Sequence, residues 1–131
     1  MHYIFESLYV GVYCVIIYSV LFYPLRENTY LLLFLLGWIK HFLGYFFCIQ
    51  DLYCRYGYAC QSQHKNYSIY KNVFNDSIIE GLFFIFLGRL GLFIDFFRNN
   101  RFLYIFILGC VIHILAEWYN YHDYFCKNNC V

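Results

Sequence analysis

Nineteen consecutive residues without a charge, SLYVGVYCVIIYSVLFYPL between Glu6 and Arg26, set the first constraint on this chain. A bilayer's hydrocarbon core is ~30 Å thick and takes ~20 helical residues to cross, so the run reads as a transmembrane helix over about residues 8–23. A cleaved signal peptide is the competing reading. It is disfavoured because the amino end carries Glu6 but no Lys or Arg, and no small-x-small cleavage site follows.

The rest of the composition points the same way. Hydrophobic residues make up 63% of 131 positions and charged residues 13%, and the mean hydropathy is +0.52. Soluble domains sit near half apolar and a quarter charged, so this chain has more apolar surface than a soluble fold of its size can hide. The formal charge of +1 and the scattering of nine Lys and Arg give no basic field, which excludes nucleic-acid binding as an expected function. Phe and Tyr number sixteen each against a single Pro. That skew toward A/T-rich codons suits a parasite, an organelle or a large DNA virus, and marks many aromatics as filler without a dedicated role.

Three further apolar runs follow. Thr29 to Gln50 is interrupted by Lys40 and His41, Ser77 to Phe97 by Glu80, Arg89 and Asp95, and Phe102 to Tyr119 by His113 and Glu117. The second run holds twelve Leu, Ile and Phe residues, which at ~0.3 to 0.6 kcal/mol each outweigh the ~2.5 to 3.5 kcal/mol of a central Lys. Fourteen such residues in the third run offset Arg89 by the same reckoning. The expectation is an all-α, polytopic membrane domain over residues 1–131, with transmembrane helices at 8–23, 29–50, 78–97 and 102–119. The connections PLREN and RNNR are short, so the helices form two antiparallel hairpins. An exposed loop at 51–76 separates the hairpins, and a tail at 120–131 lies on the same side.

Three signals orient the chain. Arg26, Arg98 and Arg101 place the short connections in the cytoplasm by the positive-inside rule. Both termini and the 51–76 loop then face the lumen or exterior, where Cys54, Cys60, Cys126 and Cys130 can form disulfides in any of three pairings. The glycosylation acceptors Asn66 and Asn75 fall in that loop too, Asn66 being better placed because Asn75 abuts the membrane. A zinc site from His122, Cys126 and Cys130 completed by His64 or a loop cysteine is a weaker alternative, since no CxxC knuckle supports it. Thiol redox catalysis is weakened by the same absence. No metal or cofactor is expected.

Polar residues within spans are costly and ask for partners. Gly37, Lys40, His41 and Gly44 share a face of the second span, Gly81, Gly88 and Asp95 recur at steps of seven in the third, and Gly109 or Cys110 aligns with His113, Ala116 and Glu117 in the fourth. Lys40, His41, Arg89 and His113 are expected near mid-membrane, Asp95 near the cytoplasmic end, and Glu117 within reach of Lys40 or His41. These small-and-polar seams are expected to fix helix packing. No catalytic motif and no small-molecule substrate site is present. The expected function is a structural or assembly protein of a virion inner membrane or host ER-derived membrane, packing with itself or with other membrane or capsid proteins. The alternatives are an oligomeric proton or ion channel of viroporin type, titrating through His41 and His113, and a luminal thiol oxidoreductase.

Overall fold

The computed structural model describes residues 2–61 and 72–131, in which the regular elements are seven α-helices. In chain order they are α1 (Tyr3–Leu25), α2 (Thr29–Phe46), α3 (Ile49–Tyr56), α4 (Val73–Gly91), α5 (Asp95–Asn99), α6 (Arg101–Trp118) and α7 (Tyr121–Asn129). Three of them, α1, α2 and α6, are long and apolar enough to cross a membrane. The remaining long helix, α4, carries Asp76, Glu80 and Arg89 in its nineteen residues.

Local chemistry sets the helix ends. Pro24 lies in the last turn of α1, and Asn28 begins α2 by accepting the Leu31 amide at 3.0 Å. The expected second span of 29–50 ends early, at Phe46, because Cys48 takes a left-handed conformation with φ 58° and turns the chain into α3. Asn120 does the same between α6 and α7, with φ 59°. The expected third span of 78–97 is also corrected. Its helix starts at Val73 and stops at Gly91, where Tyr104 donates its hydroxyl to the Gly88 carbonyl at 2.5 Å and satisfies an end group left without an intrahelical partner.

The closest packing does not join sequence neighbours. Helix α2 lies against α4 and α1 against α6, with lesser contact between α1 and α2. Each close pair runs antiparallel through a glycine crossing. A methyl group on Gly37 would stand 2.8 Å from the Glu80 carbonyl oxygen and 3.0 Å from the Gly81 Cα. On Gly109 it would stand 3.1 Å from the Gly11 Cα. Helices in lipid gain nothing from excluding water between them, so this backbone approach, and the dispersion contact it allows, is what holds them together. Cys14, Ile17, Tyr18, Leu32, Leu33, Leu36, Phe84, Tyr104, Ile105 and Leu108 form the shared core.

The outer faces are apolar. On α1, Leu8, Val12, Ile16 and Val20 are exposed at helical spacing, and on α4 so are Ile79, Leu82, Phe83, Phe86 and Leu90. One end of the bundle carries α3 and α7 with the four disulfide-bonded cysteines; the other carries the α1–α2 turn and α5 with four arginines. Gly37→Val and Gly109→Val should each cost about 1 to 3 kcal/mol in SDS-induced unfolding through overpacking. Gly44→Ala, whose added carbon would meet only the flexible Gln50 side chain at 3.3 Å, should show no measurable loss.

Candidate functional site

The acids Glu6, Glu80 and Glu117 of the long helices and their basic partners gather in two clusters toward the cysteine end, while Arg89 and Arg101 lie toward the other. The first forms where α2 crosses α4. Lys40 and His41, one step apart on α2, both turn to Glu80: the Lys40 ammonium meets one carboxylate oxygen, and His41 Nδ1 lies 2.6 Å from the other. All three side chains are 12 to 16% exposed. Lys40 stands six residues from the end of α2, ~9 Å along the axis. So little exposure leaves the carboxylate few waters, and the Lys40 and His41 nitrogens take their place at its oxygens.

The second cluster joins the helices to the cap. Glu6 is buried within the first turns of α1 and accepts the Tyr58 amide at 2.5 Å. Its other oxygen lies 3.2 Å from His113 Nε2. Across the cap, His122 Nδ1 lies 2.7 Å from a Glu117 oxygen, and the His113 and His122 rings pack with centroids 4.4 Å apart. Tyr53 of α3 closes the cluster, its ring against His122, His113 and Phe125. Burial, followed by the nearby Glu6 and Glu117 carboxylates, pushes the Tyr53 hydroxyl far above the ordinary phenol range.

Above this cluster α3 and α7 are tied together by two disulfides, Cys54–Cys130 and Cys60–Cys126. The four sulfurs sit in a small core with Phe125, against which Tyr53, Ala59 and Val73 pack. The cysteines are no more than 5% exposed. Cys60, Cys126 and Cys130 place their sulfurs within 4.8 Å of one another, yet as disulfides they offer no thiolate to a metal. His122, the other residue of the zinc alternative, is turned to Glu117. The free cysteines are Cys14, Cys48 and Cys110.

Several expected positions are corrected. Glu117 does not reach Lys40 or His41, because α6 packs against α1 and its polar seam therefore faces α1 and the cap. Arg89 is not in the middle of a helix: α4 ends two residues beyond it, and its guanidinium lies 4.6 Å over the Tyr30 ring. Asp95 lies outside the long helices. It opens the exposed helix α5, where it pairs with Arg98. Asn75 is exposed in the first turn of α4, and the Ser77 of its acceptor sequence is buried and donates to the Val73 carbonyl at 2.6 Å. Asn66 and His64 lie outside the described residues.

Glu80 and Glu6 are the residues whose roles the sequence reading missed. Glu80 counted only as a cost to the third span, and Glu6 only as the border of the first. The three-and-four spacing of Gly37, Lys40 and His41 opposite Gly81 was the available signal for Glu80, since a cationic seam meeting a small-residue seam needs an acid at the same height. Comparison with protein-family models, curated proteins and solved structures finds no match.

The arrangement sets the acids of the long helices against basic side chains. Glu80→Leu should destabilise the protein by about 3 to 5 kcal/mol, because it leaves Lys40 charged and unpaired. Adding Lys40→Leu should recover most of that loss in SDS unfolding. A double variant no better than the single one would show that Lys40 and Glu80 are not coupled.

Proposed function

We propose that the protein is a structural membrane protein with four spans, in which α4 crosses the bilayer beside α1, α2 and α6 and the disulfide-bonded cap stands outside it. The apolar outer face of α4 supports the fourth span. Ile79, Leu82, Phe83, Phe86 and Leu90 are exposed along it, while Glu80 points inward to Lys40 and His41. In water such a stripe would be a liability, and in lipid it is the expected surface. The end with Arg26, Arg98 and Arg101 then faces the cytoplasm, and the cap faces an oxidising compartment.

One observation favours a structural role over transport: the acids Glu6, Glu80 and Glu117 of the long helices are each engaged by a lysine or histidine toward the cysteine end of the bundle. Toward the arginine end, the core between the helices is filled by Ile17, Leu32, Leu33, Tyr104 and Ile105. Those core residues offer a proton or ion path no carboxylate or imidazole to follow. Burial of the disulfide sulfurs favours a staple over redox exchange, because a dithiol substrate cannot reach them. A cap with exposed Tyr56, Tyr58, Tyr119, Tyr121 and Tyr124 suits contact with partner proteins or further copies. The A/T-rich composition suits the membrane of a large DNA virus as the setting.

Two measurements test this reading. Cross-linking in native membranes, followed by purification in mild detergent, should recover a stoichiometric partner or a defined oligomer; a lone, monodisperse monomer would count against assembly. Proteoliposomes should show no protein-dependent proton flux between pH 5 and 8, and a flux abolished by His113→Ala would favour the channel.

A further inference from the structure

The arginine end carries Arg26, Arg89, Arg98 and Arg101 against only Glu27 and Asp95 among the described residues. Arg26 pairs with Glu27 at 3.6 Å and Arg98 with Asp95. Arg89 and Arg101 have no carboxylate within 4.0 Å among the described residues: Arg89 lies over Tyr30, and Arg101 lines a second small cavity with Tyr18. Three of these arginines converge on one cavity of about 180 Å³, whose other lining residues are Thr29, Leu92 and Phe93. That volume is well above the ~10 to 15 Å³ that a single water needs.

Three guanidinium groups from α4, α5 and α6, with one acid among them, repel one another, and an anion between them relieves that repulsion. Guanidinium groups present paired N–H donors that match the oxygens of a phosphate. The cavity sits where α4 ends and α6 begins, at the level of the headgroups if these helices span a bilayer. Its wall is continuous with bare hydrocarbon-facing surface: Phe93 lines it and is 79% exposed, and Leu90 and Phe86 continue the same exposed face down α4. A free phosphate makes no use of that face, whereas an acyl chain can lie along it.

We propose that the cavity lined by Thr29, Arg89, Leu92, Phe93, Arg98 and Arg101 binds the phosphate of an anionic lipid headgroup, with the acyl chain lying along Phe93, Leu90 and Phe86. Arg89 and Arg101 are the permanent donors. Arg98 joins them by leaving Asp95, so that carboxylate competes with the ligand. The site is independent of whether the protein's role is assembly or transport.

Delipidated protein in mild detergent can be titrated with dihexanoyl phosphatidylglycerol, dihexanoyl phosphatidylcholine and inorganic phosphate, with thermal unfolding as the readout. Phosphatidylglycerol should raise the melting temperature saturably, with phosphatidylcholine at least tenfold weaker because its choline cancels the phosphate charge. Arg89→Gln and the more exposed Arg98→Gln should each weaken the apparent Kd about tenfold, and Asp95→Asn should tighten it. Raising salt from 50 to 500 mM should weaken binding. Inorganic phosphate acting as well as phosphatidylglycerol would overturn the lipid assignment in favour of free phosphate. No saturable response to either, or an unchanged Kd in both folded arginine variants, would overturn the site itself.

Discussion

A carboxylate at the height of Glu80 has little water to solvate it once α4 is packed against α2, and the position of α4 depends on how that charge is met. Lys40 and His41 meet it from a single neighbouring turn of α2. They can do so only because Gly37 and Gly81 let the two backbones touch just beyond the ion pair, toward the arginine end. A bulkier crossing would hold the carboxylate away from its partners and leave charges of both signs buried alone, a state costing several kcal/mol per ion. The glycines and the ion cluster are therefore one device. The attraction fixes the height at which α4 sits, and the small residues fix its distance.

The same logic recurs where α1 meets α6. Gly11 and Gly109 bring the helices together, and Glu6 with His113 sets their relative height. Here the carboxylate also receives the amide of Tyr58, so the helices and the cap are joined through one side chain. The disulfides complete that joint. They close sequence separations of 76 and 66 residues, and a first bridge over such a span removes unfolded-chain entropy worth about 4 kcal/mol on the loop-closure account. The long helices, which touch mainly through apolar side chains and glycine crossings, are thus tied at one end by charge, hydrogen bonding and covalent bonds.

Much of this was legible in the residues, and the illegible part has physical causes. Apolar run length located α1, α2 and α6 closely, and the recurrence of small residues marked the faces on which Gly37, Gly81 and Gly109 meet their neighbours. The four cysteines that pair were identified, but their connectivity was not, because it depends on α3 and α7 lying side by side. Helix partners were inferred from short connections, which constrain neighbours in sequence without requiring them to pack most closely; the glycine crossings decided for α2–α4 and α1–α6. That choice explains why Glu117 faces His122. Arg89 was placed mid-span because hydropathy alone ran the third helix past Gly91, where the chain turns into α5.

The claim on which the rest stands is that α4 lies in the bilayer, with Glu80 held by α2 and its outer face in lipid. Single cysteines at Ile79, Phe83 and Phe86, in a background with Cys14, Cys48 and Cys110 replaced by serine, report on this directly. In sealed vesicles opened to reagent from either side, a membrane-impermeant maleimide should leave all three unlabelled, while cysteines at Phe74 and Phe93 near the helix ends react. Labelling of positions 79, 83 and 86 at the rate of the end positions would place α4 at the membrane surface and contradict the account.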